Sequence, residues 1–137
     1  MEHVFEAPTS HAELASKGVV WTGRIVSALV VAFLLLDAAM KLAMVAPVVE
    51  ASTRIGYAVT TIRPIGAVLL IATLLYAVPR TTVLGALAVT AYLGGATATL
   101  VRAGEPFWFP VAVGIIVWAG LLLRQPRLRA LVLAPSA

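Results

Sequence analysis

Charged residues gather at the two ends of this chain and in three interruptions, and between them run four mainly apolar segments, about 19–45, 62–78, 82–101 and 106–124. A helix that crosses a bilayer needs about 20 mainly apolar residues, with a range of about 17–25. The first and third segments meet that length easily, and the second and fourth lie near its lower edge. The fourth reaches it when Phe107, Trp108 and Phe109 count as its interfacial end, where aromatic side chains gather. The pattern predicts an all-α fold, a bundle of four transmembrane helices. Two or three spans with a buried or re-entrant segment is the other reading of the same runs.

The interruptions differ in kind. Arg63-Pro64 opens the second segment, and Pro suits a first helical turn. Pro79-Arg80-Thr81 and Arg102-Ala103-Gly104-Glu105 are short turns, which make the helices they join antiparallel neighbours. Arg124-Gln125-Pro126 closes the fourth segment. Between the first two segments, Val48, Val49, Ser52, Ile55, Gly56 and Val59 follow a helical period, with Glu50, Thr53 and Arg54 on the other side. That predicts a short interfacial helix lying on the membrane surface. The expected organisation is a polar N-terminal tail at 1–18, a four-helix membrane domain at 19–131 and a C-terminal tail at 132–137. The tail lacks a positive leader and a small-residue cleavage site, so it does not read as a signal peptide.

Composition sharpens this reading. Of 137 residues 61% are apolar and 12% charged, and the mean hydropathy is +1.02. A soluble domain is about half apolar and about a quarter charged, so a soluble enzyme is excluded. There is no cysteine, and the only histidines, His3 and His11, lie in the tail. No metal site is expected, and no cofactor bound covalently or through Cys or His. The net charge of +4 comes from basic residues set singly at the ends of apolar runs, which excludes nucleic acid as a partner and leaves the lipid bilayer. Lys17, Arg24, Arg80, Arg124, Arg127 and Arg129 share the side of the termini; Arg54, Arg63 and Arg102 lie opposite, with Lys41 if it snorkels. The excess predicts both termini in the cytoplasm.

One acid and one base stand inside the first apolar run. Asp37 and Lys41 are spaced i,i+4 on one helix face, in the order that favours an ion pair. If the helix runs to Pro47, Asp37 lies about 15 Å and Lys41 about 9 Å inside its end. Lys41 could then send its ammonium to the headgroups. Asp37, with its one-carbon stem, must pair, bind a proton or line a wet cavity. Two readings stay open: an ion pair that fixes packing, and a proton-binding or ligand-orienting carboxylate. Arg63, Arg102 and Glu105 fall on the same side of the membrane, so with Asp37 and Lys41 they form a candidate polar cluster at one mouth of the bundle. Arg24 beside Trp21 reads as an interfacial anchor, Tyr76 near a span end as a belt residue, and Trp118 as lipid-facing or core. In the third segment Ala86, Thr90, Gly94 and Ala98 recur every four residues beside Ala91, Gly95 and Thr99, a spacing that lets helix backbones pack closely. Tyr92, Thr97 and Thr99 offer hydroxyls to a pocket.

Trp21-Thr22-Gly23-Arg24, the Asp37 to Lys41 pair, Arg63-Pro64-Ile65-Gly66, Thr73-Leu74-Leu75-Tyr76 before Pro79-Arg80-Thr81, and Tyr92-Leu93-Gly94-Gly95-Ala96 before Arg102-Ala103-Gly104 together resemble the DoxX-like family. So does the closing Arg124-Gln125-Pro126-Arg127-Leu128-Arg129, and the likeness extends over about residues 21–131. It implies a small four-helix protein of the bacterial inner membrane. The wider DoxX and DoxD superfamily includes a subunit of a thiosulfate:quinone oxidoreductase and members tied to redox-stress complexes. Leu100 stands where many relatives carry a polar residue, often His. The resemblance implies an accessory or quinone- or lipid-associated subunit of a membrane redox system, without a redox cofactor of its own. Its partners would be a diffusible quinone, a redox subunit or further copies of itself. The alternatives are a small proton-coupled transporter in which Asp37 titrates, and a structural or assembly protein. Against the transporter, the chain shows no inverted repeat and no pair of broken helices.

Overall fold

The computed structural model describes residues 7–133, with side chains from Ser16 onward. Residues 1–6 and 134–137 of the two expected tails lie outside the described residues. Among the described residues the fold is all-helical: α1 (Ala7–Leu42), α2 (Ala46–Arg54), α3 (Val59–Ala77), α4 (Thr82–Ala103), α5 (Trp108–Arg124) and α6 (Pro126–Leu133). Ser16–Leu42 of α1, together with α3 and α4, is long and apolar enough to cross a membrane. Helix α5 has 17 residues and reaches that length only with α6, from which it is bent by 110°. Among the described residues there are therefore three candidate spans, or four with α5 and α6 counted as one.

Helices α1 and α4 each pack on both α3 and α5, so the four form a square with α1 diagonally across from α4. Leu34, Leu69, Val89, Val117 and Leu121 fill its axis. The upper end of the square is taken here as the end where α1 stops and α3 starts.

Three helices stop at that upper end by one device. A residue one or two positions past each helix takes a left-handed turn: Met44 at φ 56°, Gly56 at 104° and Gly104 at 72°. The next N–H then reaches back five residues, Val45 to Met40, Tyr57 to Ser52 and Glu105 to Leu100, at 3.0–3.1 Å. This is the Schellman closure, which satisfies carbonyls that a helix end leaves free. It stops α1 at Leu42, short of the expected end near Val45, although no glycine or proline marks the place.

Helix α3 starts at Val59, earlier than the expected Ile62, and Pro64 therefore lies within it. The small-residue packing also differs from the four-residue stripe. Thr82, Gly85, Ala86, Val89 and Leu93 are the buried face of α4, and a Cβ on Gly85 would collide with the Tyr76 backbone. Of the stripe only Ala86 is buried; Thr90, Gly94, Gly95 and Ala98 are exposed, and nothing lies within 4 Å of a Cβ built on Gly94 or Gly95. A four-residue step overshoots the 3.6-residue turn by about 40°, so the stripe winds off the contact face within two steps.

Candidate functional site

At the upper end the square encloses a cavity of about 850 Å³, lined by residues of α1 to α5. Its deepest walls are Phe33 and Leu34 of α1, Val68 of α3, and Val113 of α5; Pro47, Arg54 and Glu105 stand at its rim. Most of the lining is apolar, and the Asp37–Lys41 pair is set into it.

The pair is a direct salt bridge from Lys41 Nζ to Asp37 Oδ1. The Lys41 side chain turns back along α1. A helical side chain leans towards the N-terminus, down over the preceding turn, which carries its ammonium to Asp37. Lys41 is the more enclosed of the two, with 15% of its side chain exposed against 26% for Asp37. Because α1 ends at Leu42, Asp37 lies only about 7.5 Å inside the helix end. Helix α3 closes the back of the pair through Gly66. A Cβ there would sit 2.8 Å from Lys41 Cβ and 3.2 Å from the Ala38 carbonyl, so only glycine lets α3 lie this close.

Other polar groups reach the cavity from elements that the helix-closing turns position. Tyr57 and Glu105 are the residues whose N–H groups complete the closures of α2 and α4, and both line the cavity. The Tyr57 hydroxyl pairs with Thr99 Oγ1 at 2.9 Å, tying the α2–α3 link to α4. Glu105 Oε1 faces Arg54 Nε at 4.0 Å across the rim. Tyr92 lines the wall from α4, half-buried.

Of the five residues expected to converge, Asp37, Lys41 and Glu105 share this cavity, while Arg63 and Arg102 are exposed and outside its lining. The basic partner of Glu105 is instead Arg54, which the sequence pattern assigns only to the polar face of a surface helix. Tyr57 was also missed, because it lies in a link between apolar runs and carries no periodic signal.

A second polar cluster holds the lower end. Tyr76 is fully buried rather than a belt residue. Its hydroxyl donates to the Val117 carbonyl at 2.9 Å, so Ser27 donates to it at 3.2 Å. The Arg124 guanidinium lies 4.8 Å from the Tyr76 ring centroid and donates to the Tyr76 carbonyl at 3.1 Å. Its bonds run from Ser27 of α1 and Val117 and Arg124 of α5 to Tyr76 of α3, so it reads as a clamp joining the three helices.

Chemically, the cavity offers hydrogen bonds in an apolar wall with no net charge. A lysine ammonium carries three donors, and Asp37 takes one. The remaining donors and the Tyr92 hydroxyl suit a ligand with carbonyl or hydroxyl oxygens. Among the described residues no three His, Cys, Asp or Glu side chains group as metal ligands.

Residues 25–121 match the family model described as the DoxX-like family. No curated protein and no solved structure matches the chain.

Proposed function

The chain belongs to the DoxX-like family of membrane proteins, and from that premise we propose that it is an accessory subunit of an inner-membrane redox system that holds a quinone headgroup in the cavity over Asp37 and Lys41. In this reading α5 is the fourth span, α2 lies in the interface, and both termini face the cytoplasm. The cavity then opens on the outer side. Arg63 and Arg102 are headgroup anchors at that surface.

One observation carries the proposal: an internally neutralised ion pair with spare donors, set in an apolar cavity of about 850 Å³. That volume falls within the range of about 300–1,000 Å³ usual for small-molecule sites, which join apolar walls to a few placed polar groups. Lys41 donates to a ligand oxygen, Tyr92 donates to a second, and Asp37 holds the ammonium in place. A quinone, when bound, supplies the two-electron chemistry, and a partner redox subunit supplies the electrons. A phosphate headgroup fits less well, because its negative charge would come to rest beside the Asp37 carboxylate. The same charges argue for a neutral ligand at the rim, where Arg54 and Glu105 compensate each other.

The depth of the cavity favours binding over transport. Its lining stops near mid-span at Phe33, Val68 and Val113. Fully buried Leu69, Val89 and Val117 close the square below.

The test is extraction. Protein purified from membranes in mild detergent is extracted with organic solvent and its quinone measured against protein. Wild-type protein is expected to retain quinone in a fixed ratio, and Lys41→Met protein to lose it. Equal amounts in both, at the level of bulk membrane lipid, would refute the proposal.

A further inference from the structure

The cavity has four seams between neighbouring helices, and three of them are shut beside it. Between α1 and α3, Gly66 brings the backbones together against Lys41 and the Ala38 carbonyl. Between α1 and α5, Phe33 and Phe109 meet edge to face with centroids 5.4 Å apart. Between α4 and α5, buried Leu93 and Pro110 line both this cavity and the outer α4–α5 groove, and so form the wall between them.

The seam between α3 and α4 is different. It is pinned below, where Gly85 lies on the Tyr76 backbone. It is pinned above, where Tyr57 bonds Thr99 at 2.9 Å. Between these pins its edges are Ile65 and Val68 on α3 and Ala91 and Gly95 on α4, all of which also line the cavity. Val68 is 57% exposed, and a Cβ on Gly95 would meet nothing within 4 Å. Val68, Ala91 and Gly95 are thus exposed as well as cavity-lining, and none of the four seam residues carries a polar side chain. A gap of that chemistry rejects ions and water and admits a hydrocarbon chain.

We propose that the α3–α4 seam is a lateral portal through which the ligand loads from the bilayer, its apolar tail remaining between Val68 and Gly95 while its head reaches Lys41. This rests on the quinone reading above and adds the route and the residue that controls it. Gly95 is the gate. Its lack of a side chain leaves the seam open at the level where the tail must cross.

Two neighbouring glycines give the test its control. Gly95→Phe places a ring in the seam. Gly94→Phe places the same ring on the other flank of α4, where Gly94 lines the outer α4–α5 groove with Ile115 and Trp118. A Cβ at either site meets nothing within 4 Å, and both changes replace glycine within a helix. Purified wild-type and variant proteins are mixed for set times with phosphatidylcholine vesicles carrying long-tailed ubiquinone, then separated, and the protein-bound quinone is measured. In parallel each is titrated with a tailless benzoquinone bearing the same head, which enters at the rim.

Gly95→Phe is expected to load the long-tailed quinone more slowly by about tenfold, a modest rise in barrier. Gly94→Phe is expected to match wild type with both quinones, helical circular dichroism shows that both variants fold, and Gly95→Phe is expected to lose proportionately more loading of the long-tailed quinone than affinity for the tailless one. Unchanged loading by Gly95→Phe, or equal slowing by Gly94→Phe, overturns the portal while leaving the headgroup site standing. Wild-type protein that takes up neither quinone overturns the headgroup site and the portal with it.

Discussion

Removing one member of the Asp37–Lys41 pair should cost more stability than removing both. Lys41→Met deletes the ammonium and leaves a carboxylate in an apolar wall; Asp37→Leu leaves the ammonium. Stranding one charge of a buried pair costs about 3–5 kcal/mol, whereas replacing both by apolar side chains is close to neutral. Here both side chains keep some exposure, 15% for Lys41 and 26% for Asp37, which places each single variant at the lower end, about 3 kcal/mol. The double variant faces a cavity with room for the added methyl groups, so it should lie within about 1 kcal/mol of wild type. The assay is reversible unfolding in mixed micelles with increasing SDS, read by helical circular dichroism, for wild type, both singles and the double. A double variant as unstable as the sum of the singles would refute the reasoning, since it would mean that the two side chains act independently.

Three further changes have expected outcomes in the same assay. Tyr76→Phe removes the hydroxyl that bonds Val117 and Ser27 without opening a void, and should cost about 1–3 kcal/mol through the partners left unsatisfied; a loss below the error of the assay would mean that the clamp contributes nothing. Met44→Gly relieves a left-handed turn held by a residue with a side chain, and should stabilise by about 1 kcal/mol; destabilisation would count against the Schellman closure of α1. Gly66→Ala forces a methyl group to 2.8 Å from Lys41 Cβ, so it should cost about 1–3 kcal/mol by overpacking and weaken ligand retention together with stability. A fully stable Gly66→Ala that still retains quinone would show that α3 does not set the back wall of the pair.

Much of the framework could be read from the sequence. The first three apolar runs correspond to α1, α3 and α4, and the i,i+4 spacing of Asp37 and Lys41 anticipates their bridge. The faces of the helices could not be read in the same way. In a bilayer both the lipid side and the core side of a helix are apolar, so amphipathic periodicity loses its contrast. That is why Tyr76 resembles a belt residue and yet is buried, and why Gly94 and Gly95 resemble packing residues and yet have nothing packed against them while Gly85 makes the close contact. The rim was hidden for another reason. Arg54, Tyr57 and Glu105 reach the cavity because α2 and α4 end in left-handed turns, and at the matching turn after α1, Met44, no residue preference announces it. Lys41 illustrates both limits. Its stem is long enough to snorkel, but the end of α1 and the lean of helical side chains carry it back to Asp37.

The most direct measurement is the unfolding shift produced by a short-tailed ubiquinone analogue on wild type, Lys41→Met, Tyr92→Phe and the Asp37→Leu/Lys41→Met double variant. At about a hundredfold excess over the dissociation constant, a ligand that binds only the folded state adds about 2.7 kcal/mol. The account predicts that wild type gains a shift of that order and that anionic phosphatidylglycerol does not compete it away. It predicts a reduced shift for Tyr92→Phe and none for Lys41→Met or the double variant, although the double variant is stable. No shift in wild type, or an undiminished shift in the double variant, would contradict it.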